Sequence, residues 1–260
     1  MSLFSTVALG MIAGLTIFIG LPVARIRNLS RPIHAFLNAL ATGILIFLLW
    51  DILSRASEPI NQALDMAKKG DAAEFVTLLV LFVGGVGVGL LGLVYFDQMV
   101  IRPRKLGGEA SPFQLSLMIA TGIGLHNFSE GLAIGQASRS GAIGLATLLI
   151  VGFGLHNATE GFGIAAPLSG TKPPSWAFLA LAGLIGGGPT FLGTVLGFSV
   201  QSSEVFVLFL ALAAGSIIYV IGELWHLGHR FQLPRLASWG IFLGLLAGYG
   251  TDLLLTWAGI

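Results

Sequence analysis

The sequence predicts an all-α polytopic membrane protein, a bundle of eight transmembrane helices that forms a single domain over residues 1–260. Three observations support this fold class. Hydrophobic residues make up 55% of the chain and charged residues only 10%, whereas soluble domains carry about 25% charge. The mean hydropathy is +0.90. Eight mostly apolar runs are close to the roughly 20 residues that a helix needs to cross a bilayer.

The composition also excludes several classes of function. With 13 basic and 12 acidic residues the net charge is +1, so the chain has no basic surface for a nucleic-acid partner. Such high hydrophobicity also excludes a disordered chain and a cytosolic enzyme. The chain contains no cysteine, and any metal would therefore be bound through nitrogen and oxygen atoms alone.

The predicted spans follow one another with mostly short connections. They cover residues 3–23, 34–54, 75–97, 113–137, 141–168, 176–200, 205–227 and 236–257. These runs lack the alternation of polar and apolar residues that barrel strands show. Residues 3–23 have no basic n-region and no A-x-A site, so we expect a retained helix there and not a signal peptide. The two longer connections, 55–74 and 98–112, are too short for a separate soluble domain.

Lysine and arginine are unequally divided between the two sides of the predicted bundle. The connections after the odd-numbered spans hold Arg25, Arg27, Arg31, Arg102, Arg104, Lys105, Lys172, Arg230 and Arg235. The opposite side holds Arg55, Lys68, Lys69 and Arg139. Short loops rich in Lys and Arg stay in the cytoplasm. Both termini are therefore predicted to lie on the outer side of a cytoplasmic (inner) membrane.

Ionisable residues inside the spans concentrate in the fourth and fifth. The frame G-L-H-N-x-x-E-G occurs twice, at 124–131 and at 154–161. His and Glu four positions apart lie one turn apart on the same helix face, so each helix presents an imidazole together with a carboxylate. Such groups are costly inside a membrane and indicate function. The two pairs are His126 with Glu130 and His156 with Glu160.

The two motifs together predict a metal site. If the helices pack side by side, two imidazoles, two carboxylates and the amides of Asn127 and Asn157 converge. Imidazole and carboxylate suit Zn²⁺ and neighbouring divalent metals. Glycines beside both motifs allow close helix approach, and Pro167 removes a backbone donor late in the fifth span. Two other interpretations stay open: buried His–Glu couples that only hold helices together, and a proton relay without metal.

At these residues the sequence resembles the ZIP family, the Zrt-/Irt-like divalent-metal transporters, and most closely its bacterial GufA-like branch. The resemblance rests on the stretches 122–135, 154–168 and 213–224, in the fourth, fifth and seventh spans. It implies a metal site midway through the membrane. The implied primary ligands are His126, Glu130, His156 and Glu160. The residues implied for a neighbouring, secondary position are Asn127 and Asn157.

Two departures from the family weaken that secondary position. Members with two metals usually have Asp where this chain has Asn157, and often Glu where it has Gly188, before the proline of the sixth span. A neutral amide and a glycine stabilise a second dication far less than carboxylates do. We therefore expect one strong metal site and at most a weak second one. The 98–112 connection also lacks the histidines that many relatives carry.

Four further residues are candidates for the ion pathway. Asp51, near the outer end of the second span, resembles an acid near the outer mouth of ZIP transporters, although a plain helix-end carboxylate fits equally well. Glu223 matches a family Glu near the inner pathway, or it pairs with His226. His226 and His229 lie three positions apart on one side of the seventh span. They predict a weak release site, with functionless interfacial histidines as the alternative.

The sequence therefore predicts a secondary transporter, not an enzyme, that moves a divalent transition metal across the membrane, and the family resemblance implies transport into the cytoplasm. Zn²⁺ is the expected ion, with Fe²⁺, Cd²⁺, Co²⁺ and Mn²⁺ as further candidates, each as substrate and not as cofactor. No nucleotide motif such as G-x-x-x-x-G-K-[ST] occurs. The alternatives are an intramembrane zinc-dependent hydrolase and a proton-coupled carrier without metal. The expected partners are the ion, the lipid bilayer and, by resemblance, a second copy in a homodimer.

Overall fold

The structure is a computed structural model that describes most of the chain. The described residues are 2–26, 30–96, 111–139, 150, 153–154, 157–158, 160–168, 172–200 and 202–257. Within these ranges the secondary structure is helical, without a strand, which confirms the predicted all-α bundle. Five helices of the described part are long and apolar enough to cross a membrane.

The helices follow the predicted order. The first, α1, runs over Leu3–Leu15, breaks at Thr16 and continues through Ile17–Gly20 into the 3₁₀ turn Leu21–Arg25. The next three are α2 (Arg31–Ala67), α3 (Ala73–Phe96) and α4 (Pro112–Arg139). The fifth, α5, is helical at 150, 153–154, 157–158 and 160–165, before the 3₁₀ turn Ala166–Leu168. The last three are α6 (Trp176–Ser199), α7 (Ser203–His229) and α8 (Pro234–Trp257).

The second helix is longer than its predicted apolar span, and it takes in most of the 55–74 connection. Ala56 and Ala63 are buried in this extension, which therefore packs on the bundle. An ion pair between Asp51 and Arg55, four positions apart, bridges the apolar and polar parts of the helix. Helix-forming residues and this pair extend the helix beyond the point at which hydropathy falls.

Glycines set the distance between α4 and α6, which make the most extensive contact among the described helices. A Cβ atom at Gly131 would collide with the carbonyl oxygen of Thr190, and one at Gly193 with that of Phe128. The two backbones therefore touch directly, as small residues allow between membrane helices. Because α4 also packs on α7, it is held from two sides, and its polar motif lies inside the bundle.

We expect Gly131→Ala to lower the free energy of unfolding by about 1–3 kcal/mol, because the new methyl group meets backbone atoms that cannot move aside. Gly87→Ala on α3 is the matched control, since a Cβ there meets nothing within 4 Å and alanine is the better helix former. Thermal unfolding in detergent, followed by tryptophan fluorescence, measures both variants. Equal stability of the two would contradict this account of the α4–α6 contact.

Candidate metal site

The first motif, on α4, forms a buried His–Glu pair. Nε2 of His126 lies 3.2 Å from Oε1 of Glu130, one turn further along the helix. His126 is 1% exposed and Glu130 is 5% exposed. The hydroxyl of Ser129 donates a 2.6 Å hydrogen bond to the carbonyl oxygen of His126. The four-residue spacing therefore brings an imidazole and a carboxylate into contact in a region shielded from solvent.

Asn127 connects three helices beside this pair. Its Nδ2 donates to Oε2 of Glu160 on α5 over 2.9 Å and to the carbonyl oxygen of Gly186 on α6 over 3.0 Å. Asn127 and Glu160 are both fully buried. The amide oxygen of Asn127 has no hydrogen-bond partner among the described residues. Asn127 thus orients the carboxylate of Glu160 towards α4, and its own amide oxygen is a neutral acceptor.

The second motif, on α5, is described only in part. Glu160 and Asn157 belong to the described residues, whereas His156 lies outside them. Nδ2 of Asn157 donates over 3.1 Å to the carbonyl oxygen of Ala13, just before the break of α1 at Thr16. Within the described ranges no group of three or more His, Asp and Glu side chains is assembled for a metal. The predicted ligand set includes one residue beyond those ranges.

The structure turns Gly188, where relatives often carry Glu, away from the motif on α4. This glycine shares a face of α6 with Leu184 and Leu192, which are 56% and 57% exposed. Gly186, which accepts the hydrogen bond from Asn127, lies on the opposite and buried face, because two residues turn a helix by about 200°. A carboxylate at position 188 would therefore point away from the motif on α4.

Residues 105–247, more than half of the chain, match the family model of the ZIP zinc transporters. The chain belongs to the ZIP zinc transporter family. The matched range contains both G-L-H-N-x-x-E-G motifs and the whole of α7. No curated protein matches the chain. This ZIP protein is accordingly a multi-pass membrane transporter of divalent metal ions and not an enzyme.

The pathway candidates of this ZIP protein lie on α2 and α7. Asp51, in the second half of α2, accepts hydrogen bonds of 3.0 and 2.8 Å from Nε of Arg55. On α7, Glu223 is half-buried, and His226 and His229 are exposed. His229 lines a cavity of about 210 Å³ between α2, α7 and α8. The pathway roles of these residues stay predictions.

Arg55 lies next to the motif of this ZIP protein, a position that the sequence did not reveal. Together with His126 and Glu130 it lines a cavity of about 10 Å³, close to the volume that one water molecule needs. The sequence predicts Arg55 in an outer connection, because the predicted span ends at residue 54, and assigns it no role beyond its positive charge. The four-residue spacing from Asp51 is the signal that could have placed it on a continuing helix.

Proposed function

We propose that this ZIP protein carries Zn²⁺ into the cytoplasm through a site between α4 and α5. The proposed primary ligands are His126, Glu130, His156 and Glu160. The observation that carries this proposal is the buried 3.2 Å contact between His126 and Glu130, beside a Glu160 carboxylate that Asn127 holds over 2.9 Å. Four protein ligands of this kind are what zinc takes in proteins.

Two buried carboxyl groups close to one motif are either protonated or balanced by positive charge. Ionised carboxylates are strongly destabilised in apolar surroundings, and Glu130 and Glu160 are 5% and 0% exposed. One dication between them balances both charges. Imidazole ligands then favour Zn²⁺, Fe²⁺, Cd²⁺ and Co²⁺, and less strongly Mn²⁺, over Mg²⁺ and Ca²⁺, which prefer oxygen ligands alone.

We propose a single strong metal position. The amide nitrogen of Asn127 is already donated to Glu160, and that of Asn157 to the carbonyl oxygen of Ala13. Only the amide oxygens remain as ligands for a second ion. A neutral oxygen stabilises another doubly charged ion far less than a carboxylate does. Any second position is therefore weak.

The remaining features of transport are proposed from the residues and from the family. The excess of Lys and Arg in the connections after the odd-numbered spans supports termini outside the inner membrane, and the family resemblance supports transport into the cytoplasm. We also propose that residues 1–260 act as one domain, that the protein is a GufA-like member, and that two copies pair in the lipid bilayer.

Zinc uptake into proteoliposomes tests the function. We expect vesicles with the protein to take up Zn²⁺ faster than empty vesicles, and equilibrium dialysis to find one tightly bound Zn²⁺ per chain, as one strong position requires. Vesicles with Glu160→Gln are the control, and they should take up Zn²⁺ more slowly. This change removes the charge of one proposed ligand and leaves the size of the side chain almost unchanged. Absence of uptake together with cleavage of a lipid or peptide would favour the hydrolase alternative. Two tightly bound ions would contradict the single strong position.

A further inference from the structure

Two cavities meet at Arg55. The smaller, of about 10 Å³, reaches the pair formed by His126 and Glu130. The larger, of about 420 Å³, is named here the vestibule, and polar side chains such as Glu58 line it. Arg55 and Phe206 line both cavities. These two side chains therefore form the partition between the vestibule and the proposed metal ligands.

Contacts on two sides hold Arg55 in this partition. Its Nε donates to both carboxylate oxygens of Asp51, over 3.0 and 2.8 Å. Its guanidinium carbon lies 5.7 Å from the ring centre of Phe153 on α5, within the range of a cation–π contact. Arg55 also interacts electrostatically with Glu130. A positive charge thus stands, in a defined position, at the boundary of the small cavity.

We propose that the ion pair of Arg55 and Asp51 is an electrostatic gate between the vestibule and the metal site, an inference that rests on the proposed function of that site. The guanidinium repels any cation that approaches His126 and Glu130, and this repulsion is stronger in a protein cleft than in bulk water. A dication overcomes it through the ligands beyond the gate. As Arg55 moves aside, the carboxylate of Asp51 becomes free to pair with the passing ion.

The absence of cysteine from the chain allows a direct test by thiol labelling. Ala133→Cys places a thiol in the small cavity, and Gln62→Cys places one in the vestibule. Each is introduced into the full chain in vesicles and labelled with 2-aminoethyl methanethiosulfonate, a small cation. We expect Arg55→Met to raise the labelling rate at position 133 by about tenfold, as the field of a charged cleft alters ion association. The rate at position 62, on the vestibule side of the gate, should change much less.

Three further variants separate charge from structure. Arg139→Met is the matched control, because Arg139 also lies over a phenylalanine ring, 5.8 Å from that of Phe198, and is not among the residues that line the small cavity. It should leave labelling at position 133 slow. Arg55→Lys keeps the charge and should also leave it slow. Asp51→Asn combined with Arg55→Met also removes the carboxylate that Arg55→Met alone leaves without its partner, and it should label position 133 faster than the chain with Arg55 but more slowly than Arg55→Met alone.

Equal rates at position 133 with and without Arg55→Met would overturn the gate, and so would fast labelling in Arg55→Lys. Labelling involves no metal, so these results do not depend on zinc binding. Equilibrium dialysis with Zn²⁺ alone, on the chain without added cysteines, tests the proposed function separately. Loss of zinc binding there would overturn the function and leave the labelling rates as they are.

Discussion

Glu160→Gln and His126→Ala are each expected to weaken zinc binding by at least about 100-fold. Removing a group that only orients a ligand costs about 10- to 100-fold in affinity, and each of these changes removes a proposed ligand itself. Glu160→Gln keeps the size of the side chain and an oxygen that accepts the hydrogen bond from Asn127, so the bundle should still fold. Equilibrium dialysis of the purified protein measures the affinity and the stoichiometry.

Matched substitutions away from the site serve as controls. Glu204→Gln changes an exposed acid in the first turn of α7, where it accepts a hydrogen bond from Ser202. His34→Ala removes a histidine whose ring lies 5.0 Å from that of Phe231. Both controls should bind zinc like the unchanged protein. If both site variants kept the zinc stoichiometry of the unchanged protein, the proposed ligand set would be wrong, and the His–Glu couples would be structural.

Zinc is expected to raise the unfolding temperature by about 5–11 °C when its free concentration is 100 times the dissociation constant. Binding to the folded state alone then adds about 2.7 kcal/mol of stability. For a chain of this size each kcal/mol corresponds to about 2–4 °C. Thermal unfolding in detergent across a panel of divalent ions measures the shift.

The choice of ions gives this experiment its controls. Co²⁺ and Cd²⁺ should also stabilise the protein, whereas Mg²⁺ and Ca²⁺ at the same concentration should not, because imidazole ligands discriminate against them. Glu160→Gln should lose most of the zinc shift. An equal shift with Mg²⁺, or no shift with any ion, would speak against a nitrogen-and-oxygen site in the bundle and in favour of a proton relay.

Much of the fold and part of the candidate site could be predicted from local patterns. Apolar runs of about 20 residues indicated the helices, because a bilayer imposes that length. The contact between His126 and Glu130 follows from their spacing, because residues four apart always meet on one helix face. The hydrogen bond from Asn127 to Glu160 agrees with the expectation that the two motifs lie side by side.

Other features could not be predicted, because they depend on where a helix ends or which face it turns inward. The extension of α2 past its apolar span carries Arg55 to the small cavity, and hydropathy contains no information on that extension. The resemblance implied that this chain lacks a secondary-position carboxylate at Gly188, and only the packing of α6 decides that this residue faces away from the motif on α4. Asn157 is anchored to α1 by a backbone carbonyl that no sequence pattern indicates.

By itself, then, the sequence determined the number of spans to expect, the class of protein and the pairing of imidazole with carboxylate on single helices. These properties depend on hydropathy and on the period of the α-helix, both of which are local. Only the tertiary structure decided that Gly186 on α6 accepts the amide of Asn127 and that Arg55 borders the small cavity. The physical reason is that lipid is as apolar as the helices, so backbone contact at small residues selects the neighbours.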